Sequence, residues 1–280
     1  MRRRARPSPS ERGGPMLVMD GERYQLAAEA FRSLRTNLQY AALGRPLQVL
    51  TVTAAGPDEG KSAVTANLAV ALAQGGSRVL AVGADLRRPS LHRAFGLDYH
   101  VGLTSVLMGR VALEEAVRRV EPWGLDVLPS GPLPPNPAEM LGSRQMEALL
   151  EAMRQRWETV LLDTPPVVAL SDAALLAARS DGVLLVVSAH QTPRDVVVAA
   201  RRQLEQVGAR ILGVVLNRVR PTESGRYHYY YYYYARDHQR RPGPDDTAAP
   251  TAPGLALAGL DGRPPQPAAS RTGATGEGSR

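Results

Sequence analysis

Between residues 47 and 217, short β-branched and leucine-rich runs alternate with longer stretches rich in alanine and leucine. The apolar runs are Leu47–Thr53, Arg78–Val82, Leu125–Leu128, Thr159–Asp163, Gly182–Ser188 and Ile211–Leu216. They show little polar alternation, the pattern of strands covered on both faces. Helical stretches are predicted at Ser62–Gln74, Asp172–Ala178 and Arg194–Gln206. Strands alternating with helices predict an α/β fold, a mainly parallel sheet with helices on both faces. In such sheets the loops at the carboxyl ends of the strands carry the chemistry.

The two ends read differently. Residues 1–15 are rich in Arg, Pro, Ser and Gly, and residues 235–280 in Pro, Gly, Ala and Thr, with few large apolar groups. Such compositions bury too little surface to offset the ordering entropy, so both ends are expected to be disordered. The net charge of +7 also sits at the ends: residues 16–217 carry 20 basic and 20 acidic side chains. A neutral body argues against dedicated nucleic-acid binding, which wants a basic stripe on the folded surface. There is no cysteine, hence no disulfide, thiolate metal site or cysteine nucleophile. No apolar run is long enough to span a bilayer, and the arginine-rich start lacks the apolar segment of a secretory signal.

The first strand leads into Ala55-Gly56-Pro57-Asp58-Glu59-Gly60-Lys61-Ser62 and then a helix. Strand, glycine-containing turn and helix start are the context of a Walker A loop, although Ala55 stands where the strict motif has glycine. Backbone N–H groups from Gly56, Asp58, Glu59, Gly60 and Ala63 would cradle phosphates, Lys61 would reach the β and γ oxygens, and the Ser62 hydroxyl would bind Mg2+. Lys61 is also the only lysine in the chain. A composition that otherwise uses arginine has kept a compact ammonium at the place where one must sit between phosphate oxygens. The run Thr159–Asp163 ends in a carboxylate, as a Walker B strand does. The strand at Arg78–Val82 leads to Asp85 and the pair Arg87 and Arg88, a charge clamp if phosphates lie nearby.

Together, the loop, the segment Ala-Asp-Leu-Arg-Arg-Pro at 84–89 and Leu-Asp-Thr-Pro-Pro at 162–166 resemble the cytoplasmic domain of bacterial tyrosine kinases that govern capsule and exopolysaccharide synthesis. The segments 128–137 and 212–217, the latter ending in Asn217, agree with this family, as does Glu29-Ala-Phe-Arg32-Ser-Leu-Arg35. In the family that last motif, E-x-x-R-x-x-R, implies ring-like self-association. From the residues alone, Glu29, Arg32 and Arg35 read as one charged helical stripe. Seven of the ten tyrosines, Tyr227, Tyr229, Tyr230, Tyr231, Tyr232, Tyr233 and Tyr234, fall together next to the tail, where the family carries phosphoacceptors. The family usually has Asp-x-Asp before the arginine pair. Here the first position is Gly83.

The resemblance implies a P-loop tyrosine-kinase domain over 16–226, a tyrosine cluster at 227–234, and transfer of the γ-phosphoryl of Mg-ATP to tyrosines of a neighbouring copy. In it Lys61, Asp85, Asp163, Arg87 and Arg88 serve catalysis, Ser62, Asp85 and Asp163 handle Mg2+, and Asn217 contributes to the nucleotide site. It also implies a membrane adaptor that activates the kinase, a protein-tyrosine phosphatase, and a cytoplasmic location held at the membrane by the partner. Two other readings stay open. A deviant-Walker positioning ATPase would want a lysine where Gly56 stands, and a weakly active nucleotide-bound scaffold would account for Gly83.

Overall fold

Leucine and β-branched runs become central strands here because helices cover them on both sides. The structure, a computed structural model, describes residues 17–19 and 25–219. The tyrosine cluster and both tails lie outside the described residues. In chain order the elements are α1 (Gln25–Ala41), β1 (Val49–Ala54), α2 (Lys61–Gln74), β2 (Val79–Gly83), α3 (Leu91–Ala94), α4 (Leu103–Leu107), α5 (Leu113–Ala116), β3 (Arg118–Val120) and β4 (Leu125–Leu128). Then follow α6 (Pro137–Gly142), α7 (Arg144–Arg154), β5 (Thr159–Asp163), α8 (Asp172–Ala177), β6 (Gly182–Ser188), α9 (Arg194–Gln206) and β7 (Ile211–Asn217).

The sheet runs β3-β4-β2-β5-β1-β6-β7. Every pairing is parallel except β3 with β4. β1, β2, β5 and β6 are buried along their whole length, the physical counterpart of their unalternating sequences. Neither the three-residue β3 nor α7 is among the elements expected from the sequence. β3 has only Arg-Arg-Val and no apolar alternation, whereas α7 carries a helical period, Met146, Leu149, Leu150 and Met153, all buried.

The strand order brings together what the chain keeps apart. β5 lies between β2 and β1, with Asp163 in register with Val52 on one side and Gly83 on the other. The carboxyl ends of all three strands therefore meet at one point, where the loops after β1, β2 and β5 converge.

α2 is apolar nearly all round, with ten buried residues, because it is enclosed between the sheet and α1. α1 packs on α2 through Ala28, Leu34 and Leu38. On the opposite face, Met146, Leu150 and Met153 of α7 cover Leu80, Val160 and Leu162. No described helix is long and apolar enough to cross a membrane.

Far from the converging loops, Asp181 ties three elements together. Its carboxylate accepts hydrogen bonds from the backbone N–H groups of Gln48 (2.9 Å) and Val49 (2.7 Å) and from both terminal nitrogens of Arg154 (2.7 and 3.0 Å). Burial acts to raise its pKa, but the bonds from Arg154, Val49 and Gln48 outweigh that and hold it below the usual carboxylate range. Asp181→Ala is expected to destabilise the protein by about 2–3 kcal/mol in urea unfolding at neutral pH. Because the folded pKa is depressed, this contribution is present above the ordinary carboxylate value of 3.8 and fades as pH falls below it towards the folded pKa. The gap between wild type and variant should close over that acid range.

Candidate active site

The turn after β1 is shaped by backbone conformations that few residues adopt. Gly60, at the N-cap of α2, has φ of 86°, and a Cβ there would come within 2.3 Å of the Asn217 side-chain nitrogen. Glycine is therefore required both by conformation and by space. Asp58 also takes the left-handed region, at φ 56°, a conformation aspartate reaches more easily than most residues. The result is a turn that opens directly onto the N-terminus of a 14-residue helix, an arrangement suited to anions.

Glu59 holds the turn from beneath. It is buried, and its carboxylate accepts from the Ala55 N–H at 3.0 Å and from the Thr192 hydroxyl at 2.5 Å. The Asn217 side chain donates to the Glu59 carbonyl at 2.8 Å. Loops after β1, β6 and β7 are thus joined through one side chain and its backbone.

At the mouth, Lys61 Nζ lies 2.9 Å from Asp85 Oδ2. The other oxygen of Asp85 accepts from the backbone N–H groups of Arg87 and Arg88, at 3.2 and 2.9 Å. Asp163 is fully buried, and neither of its carboxylate oxygens has a hydrogen-bond partner. Burial pushes its carboxyl up to about 6, against the opposing charge of Lys61 and the neighbouring Ser62 hydroxyl. Lys61 responds in kind. Burial acts to lower its pKa, but the charges of Asp163 and Asp85 outweigh that, and the ammonium is held above its ordinary value.

A buried carboxylate with two unpartnered oxygens beside a serine hydroxyl fits a divalent cation. Mg2+ binds through one or two carboxylates together with substrate phosphates. Ser62 and Asp163 are the residues that would hold it.

The other residues singled out from the sequence are placed as follows. Gly56 is half-buried, its α-carbon face 3.3 Å from Glu59 Oε1 were a Cβ added, and Ala63 is half-buried in the first turn of α2. Arg87 forms a two-pronged pair with Asp172, at 2.9 and 3.0 Å. Asp172 is wholly buried at the start of α8, and the sequence pattern marked it only as a helix start. Arg88 is exposed. Gly83 is buried, and a Cβ there would lie 3.1 Å from the Ser130 nitrogen, so a longer side chain would need that segment to shift.

The expected charged stripe on α1 does not form as one face. Arg32 pairs with Glu29 at 2.7 Å on the surface, while Arg35 donates to the Ala71 carbonyl at 2.9 Å, near the end of α2. Six residues at about 100° each carry Arg35 roughly 120° round the helix from Glu29.

The family model described as "AAA domain" matches residues 50–210. The chain is 41% identical over 202 residues to "Tyrosine-protein kinase YwqD" of Bacillus subtilis (strain 168), covering 72% of this chain and 85% of that protein. It is 36% identical over 203 residues to a "Putative tyrosine-protein kinase in cps region" of Klebsiella pneumoniae, covering 72% of this chain but 28% of that longer protein. Among solved structures, the kinase domain of the Escherichia coli tyrosine kinase ETK superposes with a TM-score of 0.69 at 35% identity, covering 77% of this chain and 82% of that one.

The raised pKa of Asp163 has a measurable sign. The folded carboxyl keeps its proton up to about 6, whereas the unfolded one loses it near 3.8, so the folded state binds more protons between the two. Stability of the nucleotide-free protein should therefore contain a component that declines as pH rises through this window. Asp163→Asn is expected to remove that component and to be more stable than wild type at pH 8, as read by chemical denaturation across a pH series.

Proposed function

Because this chain belongs to the bacterial tyrosine-kinase family, we propose that it transfers the γ-phosphoryl of Mg-ATP to tyrosine hydroxyls of a neighbouring copy, with Tyr227 and Tyr229 to Tyr234 as the principal acceptors. The observation that carries this reading is the convergence of the chain's only lysine, the orphaned carboxylate of Asp163 and the helix N-terminus of α2 on one point.

Phosphoryl transfer needs positioning and charge neutralisation more than covalent chemistry. In this mechanism Lys61 leaves Asp85 for the β and γ oxygens, while backbone N–H groups of the turn hold the phosphate chain. Ser62 and Asp163 would hold Mg2+, which when bound would supply positive charge against the phosphates. Asp85, released from Lys61, orients the incoming tyrosine hydroxyl and stands ready to accept its proton. The new bond forms between the tyrosine oxygen and the γ-phosphorus as the bond to the β-bridging oxygen breaks, and ADP leaves. Arg88, exposed at the rim, is better placed to meet developing charge than Arg87, which Asp172 holds.

A relative named for a cps region supports a role in regulating polysaccharide synthesis and export. In this reading the chain acts at the cytoplasmic face of the membrane through an adaptor and is reset by a phosphatase. Glu29 and Arg32, exposed on α1, offer the contact through which copies would assemble into a ring.

The test is incubation with Mg-ATP followed by phosphotyrosine detection. Wild type is expected to label its tail, and Lys61→Ala to lose at least about 100-fold in rate, because the phosphate charge is left unmatched. Phosphate release without phosphotyrosine would point to a positioning ATPase, and neither signal to a scaffold. Changing Tyr227 and Tyr229 to Tyr234 to Phe should abolish most labelling. Arg32→Ala, which spares the Arg35 contact with α2, should be monomeric by mass and poorly labelled; a monomer labelling at the wild-type rate would refute the ring mechanism.

A further inference from the structure

Ser90 occupies the N-cap position of α3, where a serine ordinarily turns its oxygen back to a backbone N–H of the first helical turn. It makes no such bond. Its hydroxyl instead crosses to α2 and donates to the Ser62 oxygen at 2.7 Å. The side chain forgoes the cap and faces the oxygen assigned above to Mg2+.

The surrounding oxygens show why a further donor matters in this chain. At the tip of β2, Gly83 leaves no carboxylate beside Asp163, its partner in register. One oxygen of Asp85 is held by the N–H groups of Arg87 and Arg88, and the other, paired with Lys61 here, turns to the tyrosine hydroxyl in the mechanism above. That leaves Asp163 and Ser62 as the protein oxygens facing the metal position.

We infer that Ser90 is a metal-shell residue of this site, its hydroxyl supplying Mg2+ with a second neutral oxygen beside Ser62 where Gly83 supplies no carboxylate. The inference rests on the nucleotide-site reading above. Ser90 is carried by the same loop as Asp85, Arg87 and Arg88, so the β2–α3 connection serves the metal at its far end as well as Lys61 at its near end. The Arg87 pair with the buried Asp172 anchors the middle of that loop.

Binding of a fluorescent ADP analogue to the full chain, titrated with Mg2+, tests this without relying on turnover. Wild type should bind more tightly with Mg2+ than without. Ser90→Ala is expected to shift the Mg2+ midpoint upward about tenfold, within the range seen when a metal site loses a supporting group, while leaving metal-free ADP affinity unchanged. Since the chain has no cysteine, Ser90→Cys would introduce its only thiol, and Cd2+ should then support ADP binding at lower concentration, relative to Mg2+, than in wild type. A wild-type Mg2+ midpoint in Ser90→Ala, an equal loss with and without metal, or no gain of Cd2+ preference in Ser90→Cys would overturn the assignment of Ser90. Wild type that binds no ADP, or binds it without regard to Mg2+, would instead overturn the nucleotide-site reading on which it depends.

Discussion

Lys61 stands between two carboxylates, Asp85 at 2.9 Å and the fully buried Asp163, and the charge balance among these three governs the whole loop end of the sheet. A carboxylate without hydrogen-bond partners is costly to bury, and here the opposing ammonium limits that cost while leaving the carboxyl easily protonated. By its burial cost the arrangement is expected to be less stable than an apolar or amide replacement. What it keeps is a pair of oxygens and an ammonium already aimed at the place where phosphate charge and a cation would arrive, so little reorganisation is needed when they do.

Around this centre the loops are tied by side chains that do not themselves face the phosphates. Glu59 links the turn after β1 to Thr192 and, through its carbonyl, to Asn217. Asp172 grips Arg87 from α8, and the peptide of Arg87 in turn orients Asp85. These contacts draw on loops after β1, β2, β5, β6 and β7. The site is therefore held by the far ends of most of the parallel strands, as befits chemistry carried on short loops above a rigid sheet.

Cation choice follows the same division of labour. Arginine makes the two-pronged pairs that lock elements together, with Asp172 at the site and with Asp181 at the opposite end of the sheet. Its planar fork matches a carboxylate at two points and stays charged when partly buried. The single lysine pairs with Asp85, and in the proposed mechanism it is the flexible point charge that changes partners, from that carboxylate to phosphate oxygens. Structural and chemical demands on positive charge thus separate cleanly by residue type.

The periodicity of the chain by itself determined the six strands β1, β2, β4, β5, β6 and β7, the helices α2, α8 and α9 and the mainly parallel sheet: the fully buried β1, β2, β5 and β6 leave unalternating apolar runs that need no long-range information to read, whereas β7 carries such a run but lies at the sheet edge, partly exposed. The turn from Gly56 to Ser62 and the carboxylate ending β5 were legible for a similar reason: phosphate binding demands a local backbone shape and a fixed residue order. α7 carried an unused signal in its spacing of Met146, Leu149, Leu150 and Met153, whereas β3 has too little sequence to carry a pattern. Tertiary structure alone decided which side chains meet. Strand order set Asp163 between the tips of β1 and β2, gave Arg87 a partner 85 residues away in Asp172, turned Arg35 inward to α2, and brought Ser90 to Ser62. Such pairings depend on crossover connections and helix rotation, which single-residue patterns along a chain do not encode.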